Sequence, residues 1–381
     1  MRPEVMAEVE ALRGVNSVKI KEASEAGKKV VGMYCVFSPQ EIAMAAGAIT
    51  VSLCGTSQVP IEEAEKELPR NLCPLIKSSY GFAITDKCPY FYFSDVLVAE
   101  TTCDGKKKMY ELMAKLKPMH IMNLPQTANS EDSLELWKKE MIYFKEFLEK
   151  QFDVEITEEK LRDAIKLMNR ERKVMRRLHQ LNAHKPAPLS GMDMMLAQWL
   201  KGFNVDKEAG IELIERLIKE VEERMEKGIY AFDEKAPRIL LTGCPIGSGS
   251  EKVLRILEES GASVVALENC TGYKALDVLV DEEKDPITAL AEKYLSTPCS
   301  CMTNNKGRLD LIERLAKEYQ VDGIVDLTWQ ACHTYNIESF TVKNFAKDVL
   351  NLPFLQIETD YSDSDVGQIK VRVEAFLEGI K

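Results

Sequence analysis

The stretch VLVAETTCDGKKKMYELM, residues 96–113, predicts a strand, a tight turn and a helix in immediate succession. An apolar run leads to Cys103, an Asp-Gly pair forms the turn, and three lysines open the helix. Cys103 would then lie at the positive end of that helix, where unpaired backbone N–H groups and nearby cations favour a thiolate. Such a sulfur acts either as a nucleophile or as a metal ligand.

The alternation of strand and helix continues on both sides of this stretch. Four apolar runs alternate with helical segments up to about residue 130, and four more follow Pro237. Long amphipathic helices lie between, and their basic run at residues 170–177 is expected to form a solvated face. The pattern predicts an α/β protein with parallel, doubly wound sheets: a first lobe at residues 1–130, a helical segment at 131–235 and a second lobe at 236–381.

Length and charge limit the possible functions. A chain of 381 residues is too long for one ordinary core, which favours two domains. The net charge of −11 argues against nucleic acid or an anionic membrane as a partner. No apolar run approaches the ~20 residues of a membrane span, and the N-terminal stretch lacks the apolar core of a signal peptide. We therefore expect a cytoplasmic protein whose thiols stay reduced.

Six of the ten cysteines lie at or just beyond the C-terminal ends of predicted strands. They are Cys35, Cys54 and Cys103 in the first lobe and Cys244, Cys270 and Cys332 in the second. Ligands of open α/β sheets bind in the crevice outside those strand ends. Two lobes that face each other would gather these thiols, and Cys73, Cys299 and Cys301 lie on segments that can reach the same cleft. Cys35 and Cys54 are equally consistent with packing in the core.

The spacing of the cysteines bears on the kind of metal. The chain has neither the local C-x-x-C pairs of common zinc sites nor the contiguous cysteine run of ferredoxins. Ligands would come from separate loops, which suits an iron–sulfur cluster held between domains with an iron left open for chemistry. A nucleophilic cysteine is the alternative, although one enzyme seldom needs so many thiols.

Two other features leave alternatives open. The segment GCPIGSGSEK, residues 243–252, follows a strand but lacks the spacing of a P-loop, and Lys252 stands where a dinucleotide fingerprint needs glycine. Glu268 ends the next strand, where a ribose-binding acid would lie, so a nicotinamide cofactor is a minor alternative to a turn that admits a cluster or an anion.

Two residues are candidate catalytic groups. His333, next to Cys332, is either a proton donor or a hydrogen-bond partner of a metal ligand. Glu41, at a predicted helix start, is either a catalytic acid or a charge that favours the helix dipole.

A set of motifs, taken together, resembles the 2-hydroxyacyl-CoA dehydratase/benzoyl-CoA reductase family, and within it the double-cubane cluster proteins. The resemblance covers essentially the whole chain. The motifs, in order, are LPRNLCPLIKSSYGFAI (68–84), ETTCDGKKKMYELM (100–113), TGCPIG (242–247), ENCTGYKA (268–275), PCSCM (298–302) with GR shortly after, and DLTWQACHTYNIES (326–339).

The resemblance implies two flavodoxin-like lobes and a cluster between them. A first [4Fe–4S] cubane would be bound by Cys73, Cys103 and Cys332. A second cubane, joined to the first through a bridging sulfide, needs three more thiolates. We assign these to Cys244, Cys270 and Cys301, with Cys299 as the alternative.

The same resemblance implies an oxygen-sensitive reductase of a small molecule. Its electrons would come from a separate dimeric [4Fe–4S] ATPase, the activator, and the chain would form a homodimer. Three alternatives remain: a 2-hydroxyacyl-CoA dehydratase subunit with one [4Fe–4S] cluster, an electron-transfer or cluster-storage protein without turnover, and a zinc-bearing or metal-free protein whose cysteines only pack.

Overall fold

The computed structural model describes residues 2–380, and over these residues it forms two four-stranded parallel sheets among many helices. The strands are β1 (Val30–Met33), β2 (Ile49–Ser52), β3 (Val96–Glu100), β4 (Met119–Met122), β5 (Arg238–Gly243), β6 (Ser263–Leu267), β7 (Gly323–Trp329) and β8 (Phe354–Thr359). The helices are α1 (Val5–Glu25), α2 (Gln40–Ala45), α3 (Ile61–Ala64), α4 (Pro74–Ile84), α5 (Pro89–Phe93), α6 (Asp104–Met113), α7 (Glu131–Phe152), α8 (Glu158–Gln180), α9 (Gly191–Leu200), α10 (Lys207–Glu226), α11 (Lys252–Glu259), α12 (Pro286–Leu295), α13 (Lys306–Glu318), α14 (His333–Asp348) and α15 (Val366–Glu378).

Both sheets have the same strand order. The first runs β2-β1-β3-β4 and the second β6-β5-β7-β8, with every pairing parallel. The central strands β1, β3, β5 and β7 are buried along their whole length, as expected of apolar runs covered by helices on both faces. The predicted α/β fold with two flavodoxin-like lobes is confirmed.

The helical segment packs against both lobes. Side-chain caps begin its long helices: Ser130 for α7, Thr157 for α8 and Asp206 for α10 each accept a backbone N–H three residues ahead. Helix α7 contacts β4 and α12, α8 contacts α2 and α10, and α9 contacts β6. Trp137 and Phe144 of α7 are fully buried in a core shared with the first sheet and α12. The segment thus joins the lobes, while the domain boundaries stay predictions.

The loop after β5 docks the second lobe onto the first. The Thr56 hydroxyl donates to the Ser248 carbonyl over 2.9 Å, and the Tyr361 hydroxyl donates to the Gly55 carbonyl over 3.1 Å. Gly249 has a φ of +100°, and a Cβ there would lie 2.9 Å from the Thr56 carbonyl oxygen. The glycines of GCPIGSGSEK therefore permit close contact between lobes.

Among residues 2–380, no helix is both long and apolar enough to cross a membrane.

We expect Gly249→Ala to cost more stability than Gly47→Ala. Both glycines have positive φ, which costs an alanine roughly 1–2 kcal/mol. Only Gly249 would also push its Cβ into the Thr56 carbonyl, whereas Gly47 has open space, so overpacking should add about 1 kcal/mol or more. Urea denaturation measures the difference, and equal losses in the two variants would mean that this loop does not hold the lobes together.

Candidate functional site

Three of the predicted ligand cysteines stand at the N-caps of helices. Cys73 precedes α4, Cys103 precedes α6 and Cys332 precedes α14. The Lys106 backbone N–H donates to the Cys103 sulfur over 3.5 Å, as an N-cap geometry provides. Three helix N-termini therefore aim their unpaired N–H groups at the same cleft, which favours negative charge there.

Cys73, Cys103, Cys244 and Cys332 form what we call the first thiol group. The neighbouring thiols of Cys244 and Cys73 stabilise the Cys332 thiolate and hold the pKa of Cys332 well below its ordinary value despite burial. Burial raises the pKa of Cys103, although Lys106 opposes it. Metal binding would displace the proton of the Cys103 thiol, because the deprotonated sulfur is the form that binds a metal. The group joins thiols from both lobes.

Cys35, Cys270, Cys299 and Cys301 form the second thiol group. The neighbouring thiol of Cys301, with Lys274 and Tyr335, lowers the pKa of Cys299 against the effect of burial. Cys270 and Cys35 lie close enough to interact with Cys299 electrostatically. The Tyr335 hydroxyl is 4.0 Å from the Cys299 sulfur and accepts a hydrogen bond from Lys274 Nζ over 3.0 Å.

Lys106 lies between the two groups. Burial alone would lower the pKa of its ammonium, but Tyr110, Cys35, Cys54 and Cys103 outweigh it and raise that pKa well above its usual value. Its charge also acts on Cys270 and Cys301 of the second group. The positive charge of Lys106 thus interacts with cysteines of both thiol groups.

The remaining cysteines, Cys54 and Cys88, have local partners. The Cys54 thiol donates to the Tyr34 carbonyl over 2.8 Å. Cys88 is the N-cap of α5 and accepts the Phe91 backbone N–H over 3.4 Å. These contacts favour packing and capping roles for both residues.

A buried ionic network supports the second thiol group. Arg308 is completely buried; it bonds Glu338 at 2.5 Å, and its guanidinium lies 4.9 Å from the Tyr335 ring centroid. Arg308 also approaches Glu268 at 3.5 Å and Asp326 at 3.4 Å. Lys274 in turn pairs with Glu268 at 3.1 Å. Glu268 is therefore engaged by cations and does not offer a free carboxylate for a nicotinamide ribose.

Glu41 is fully buried beside Arg172 and Tyr294. One carboxylate oxygen bonds Arg172 at 2.6 Å and the other accepts the Tyr294 hydroxyl at 2.7 Å. Burial alone would raise the pKa of Glu41, but Arg172, Lys293 and Tyr294 outweigh it and keep the carboxylate ionised. This geometry favours a counter-ion role, and its function as an acid stays a prediction. The expectation that the whole basic run 170–177 is solvated is wrong for Arg172, because the chain folds back to give it Glu41.

His333 opens α14, and its side chain is exposed. It is the first residue of the helix that Cys332 caps. Its role as a proton donor stays a prediction.

The donor set fits an iron–sulfur cluster better than a single metal ion. Within residues 2–380, no three His, Cys, Asp or Glu side chains converge tightly enough to chelate one ion. The groups consist of sulfurs alone, spread over several loops and faced by Lys106 and Lys274. Thiolate ligands around an anionic group, with cations and N–H donors behind them, are what iron–sulfur clusters require.

Sequence reasoning missed the roles of Lys274, Arg308 and Tyr335. Each lies inside a motif that also carries a cysteine or follows one, so proximity in sequence was an available signal. The sequence does not show that Arg308 is buried in contact with Glu268, Asp326 and Glu338, which are distant from it or on other elements.

We expect Arg308→Leu to lower the free energy of unfolding by about 3–5 kcal/mol, because it leaves Glu268 and Asp326 buried with a missing partner. Arg314→Leu is the control: Arg314 pairs with Asp277 and is 46% exposed, so its loss should cost less than about 1 kcal/mol. Thermal and urea unfolding compare the two, and similar small losses would show that the network is not essential to the second lobe.

Comparison with known proteins identifies the family of this chain. The family model described as 2-hydroxyglutaryl-CoA dehydratase, D-component, matches residues 35–380. YjiM of Escherichia coli (strain K12), which carries the provisional name of dehydratase subunit, is 50% identical over 99% of this chain and 98% of its own length. The (R)-phenyllactyl-CoA dehydratase beta subunit of Clostridium sporogenes is 26% identical over 94% of both chains. One of the benzoyl-CoA reductase subunits of Thauera aromatica is 25% identical over 42% of this chain and 39% of its own length. The chain therefore belongs to the 2-hydroxyacyl-CoA dehydratase/benzoyl-CoA reductase family.

Proposed function

We propose that this protein is an iron–sulfur reductase that holds a double-cubane cluster and reduces a small molecule. The observation that carries the proposal is that eight cysteines from both lobes form two groups of four neighbouring thiols, with Lys106 between them. One cubane needs three thiolates in this family. A single cubane would therefore use only the first thiol group and would not account for the clustering of the second.

The geometry suggests a division of the thiols. Cys73, Cys103 and Cys332, each at a helix N-cap, are the ligands we propose for the first cubane. Cys270, Cys299 and Cys301 interact with one another and suit the second. Cys244, assigned to the second triplet from the sequence, has Cys332 and Cys73 as neighbours. We therefore propose Cys299 in its place as the sixth ligand.

Such a cluster would supply low-potential electrons when bound. The chain's own residues would set how readily it accepts them. Lys106 and Lys274 place positive charge beside the thiolates, and Tyr335 offers a hydroxyl to Cys299. Cations and hydrogen bonds near sulfur stabilise the more negative, reduced state.

The proposal includes a separate dimeric [4Fe–4S] ATPase as electron donor and a homodimeric state of this chain. Two exposed apolar side chains on α14 support a protein contact near the cluster: Ile337 is 76% exposed and Phe340 is 71% exposed. Helix α14 begins directly after Cys332. Exposed apolar surface beside a redox site is typical of a docking face.

A dehydratase subunit with one [4Fe–4S] cluster is the second candidate. It is favoured by the names of the relatives, of which the Clostridium sporogenes protein acts on (R)-phenyllactyl-CoA. Under that function only the first thiol group would bind iron.

Cysteine variants test the ligand assignment. In anaerobically purified protein, Cys103→Ser and Cys299→Ser should each lose about half of the iron or more, because each removes one of three ligands of a cubane. Cys88→Ser is the control and should keep the full content, since Cys88 only caps α5. Iron analysis and helical circular dichroism are measured together. If Cys299→Ser keeps its full iron content and Cys244→Ser loses iron, Cys244 and not Cys299 belongs to the second triplet.

Replacement of Lys106 should make the cluster harder to reduce. Lys106→Gln removes a buried positive charge, and if the lost interaction is about 1.4 kcal/mol the midpoint potential falls by roughly 60 mV. Lys108→Gln on the same helix is the matched control, because Lys108 is exposed and paired with Glu111. A redox titration followed by electronic spectra reports both values, and identical potentials would contradict the assigned role of Lys106.

A further inference from the structure

A cavity of about 150 Å³ lies between the lobes beside the second thiol group. Cys35 and Cys54 of the first lobe and Cys270 of the second line it. Its other lining includes the helical segment, through Arg172 of α8 and Lys201 just beyond α9. A molecule held here would touch the sulfur-bearing edges of both sheets.

The walls of this cavity carry an excess of positive charge. Four basic side chains line it, against the single carboxylate of Glu171; they are Lys106, Arg172, Lys201 and Lys293. Glu171 is already shared between Lys207 at 3.1 Å and Lys201 at 3.7 Å. Arg172 pairs with Glu41 and Lys201 with Glu171. Among residues 2–380, no carboxylate lies within 4.0 Å of the other two lining amines, Lys106 and Lys293.

Lys293 is the group most in need of an anion. Its side chain is only 6% exposed, and no carboxylate among residues 2–380 lies within 4.0 Å of its Nζ. Burial, with the charges of Arg172 and Lys201, lowers the pKa of Lys293 well below its ordinary value even though Glu41 opposes this. An anion placed beside it would favour the charged ammonium. A buried amine among cations is costly unless a ligand compensates it.

The volume of the cavity and its apolar lining residues limit the kinds of molecule that can bind there. A cavity of this volume holds a benzene-sized molecule. Met33, Trp199 and Phe203 provide an apolar surface opposite the cations. A nucleotide or a whole coenzyme A thioester is too large, while a short carbon skeleton with one anionic group matches both parts of the lining.

We infer that this cavity is the substrate site and that it binds a small monocarboxylate, with the carboxylate at Lys293 and Arg172 and the carbon skeleton against Trp199 and Phe203. That the bound molecule is the substrate rests on the proposed function, whereas its binding does not. The lysine side chain acts here by holding the anion in place beside Cys35 and Cys270.

The test uses butanoate and its neutral isostere butanamide as probes of the anaerobic holoprotein, with isothermal titration calorimetry as the readout. Wild type should bind butanoate at least tenfold more tightly than butanamide. Lys293→Met and Lys293→Gln should each weaken butanoate binding more than tenfold. Lys293 Nζ lies 3.9 Å from the centroid of the Tyr294 ring but has no anionic partner. Its removal should therefore leave the protein folded, which thermal unfolding of both variants checks.

Lys284→Met is the matched control, since Lys284 precedes α12, is half-exposed and pairs with Glu292 outside the cavity. It should bind butanoate as wild type does. Equal affinity for the acid and the amide, no binding of butanoate by wild type, or unchanged binding in both Lys293 variants would overturn the inference. Iron content is measured on the same samples. If the protein contains iron but does not bind butanoate, the carboxylate site is rejected and the proposed function stands. If iron-free protein binds butanoate and the binding depends on Lys293, the proposed function is rejected and the carboxylate site stands.

Discussion

The gathering of cysteines from both sheets at one cleft is the arrangement around which the other parts of the molecule are organised. Cysteines follow the carboxyl ends of parallel strands, and three of them, Cys73, Cys103 and Cys332, also begin helices. The helix N-termini and the buried ammonium of Lys106 act on the same small volume. Because a parallel sheet places strand ends together and helix starts beside them, the fold itself creates this environment.

The rest of the molecule keeps that cleft in one geometry. The glycine-containing loop after β5 docks on the first lobe, α7 and α8 pack across both lobes, and Arg308 ties together elements of the second lobe behind Cys299. Buried ionic groups of this kind contribute little net stability but are costly to break. They therefore fix the positions of Lys274 and Tyr335 beside the second thiol group.

Local sequence pattern was sufficient to predict the eight strands and the long helices between the two sheets. Apolar runs, turns and caps depend on neighbouring residues, so the sequence displays them. The grouping of Cys244 was not predictable in this way, because it depends on β5 lying beside β7 in the sheet. That adjacency lets the Trp329 backbone N–H donate to the Cys244 sulfur over 3.3 Å. The pairing of Glu41 with Arg172, 131 residues away, is likewise a product of the tertiary fold.

The most direct test of the central claim is the content of iron and acid-labile sulfide per chain in anaerobically purified protein. The account predicts about eight irons with roughly nine sulfides, as two cubanes of four irons joined through a sulfide require. About four irons would contradict the double cluster and favour the dehydratase subunit. If the protein stays free of iron after competent reconstitution, it does not bind an iron–sulfur cluster, and its cysteines are packing residues of the core.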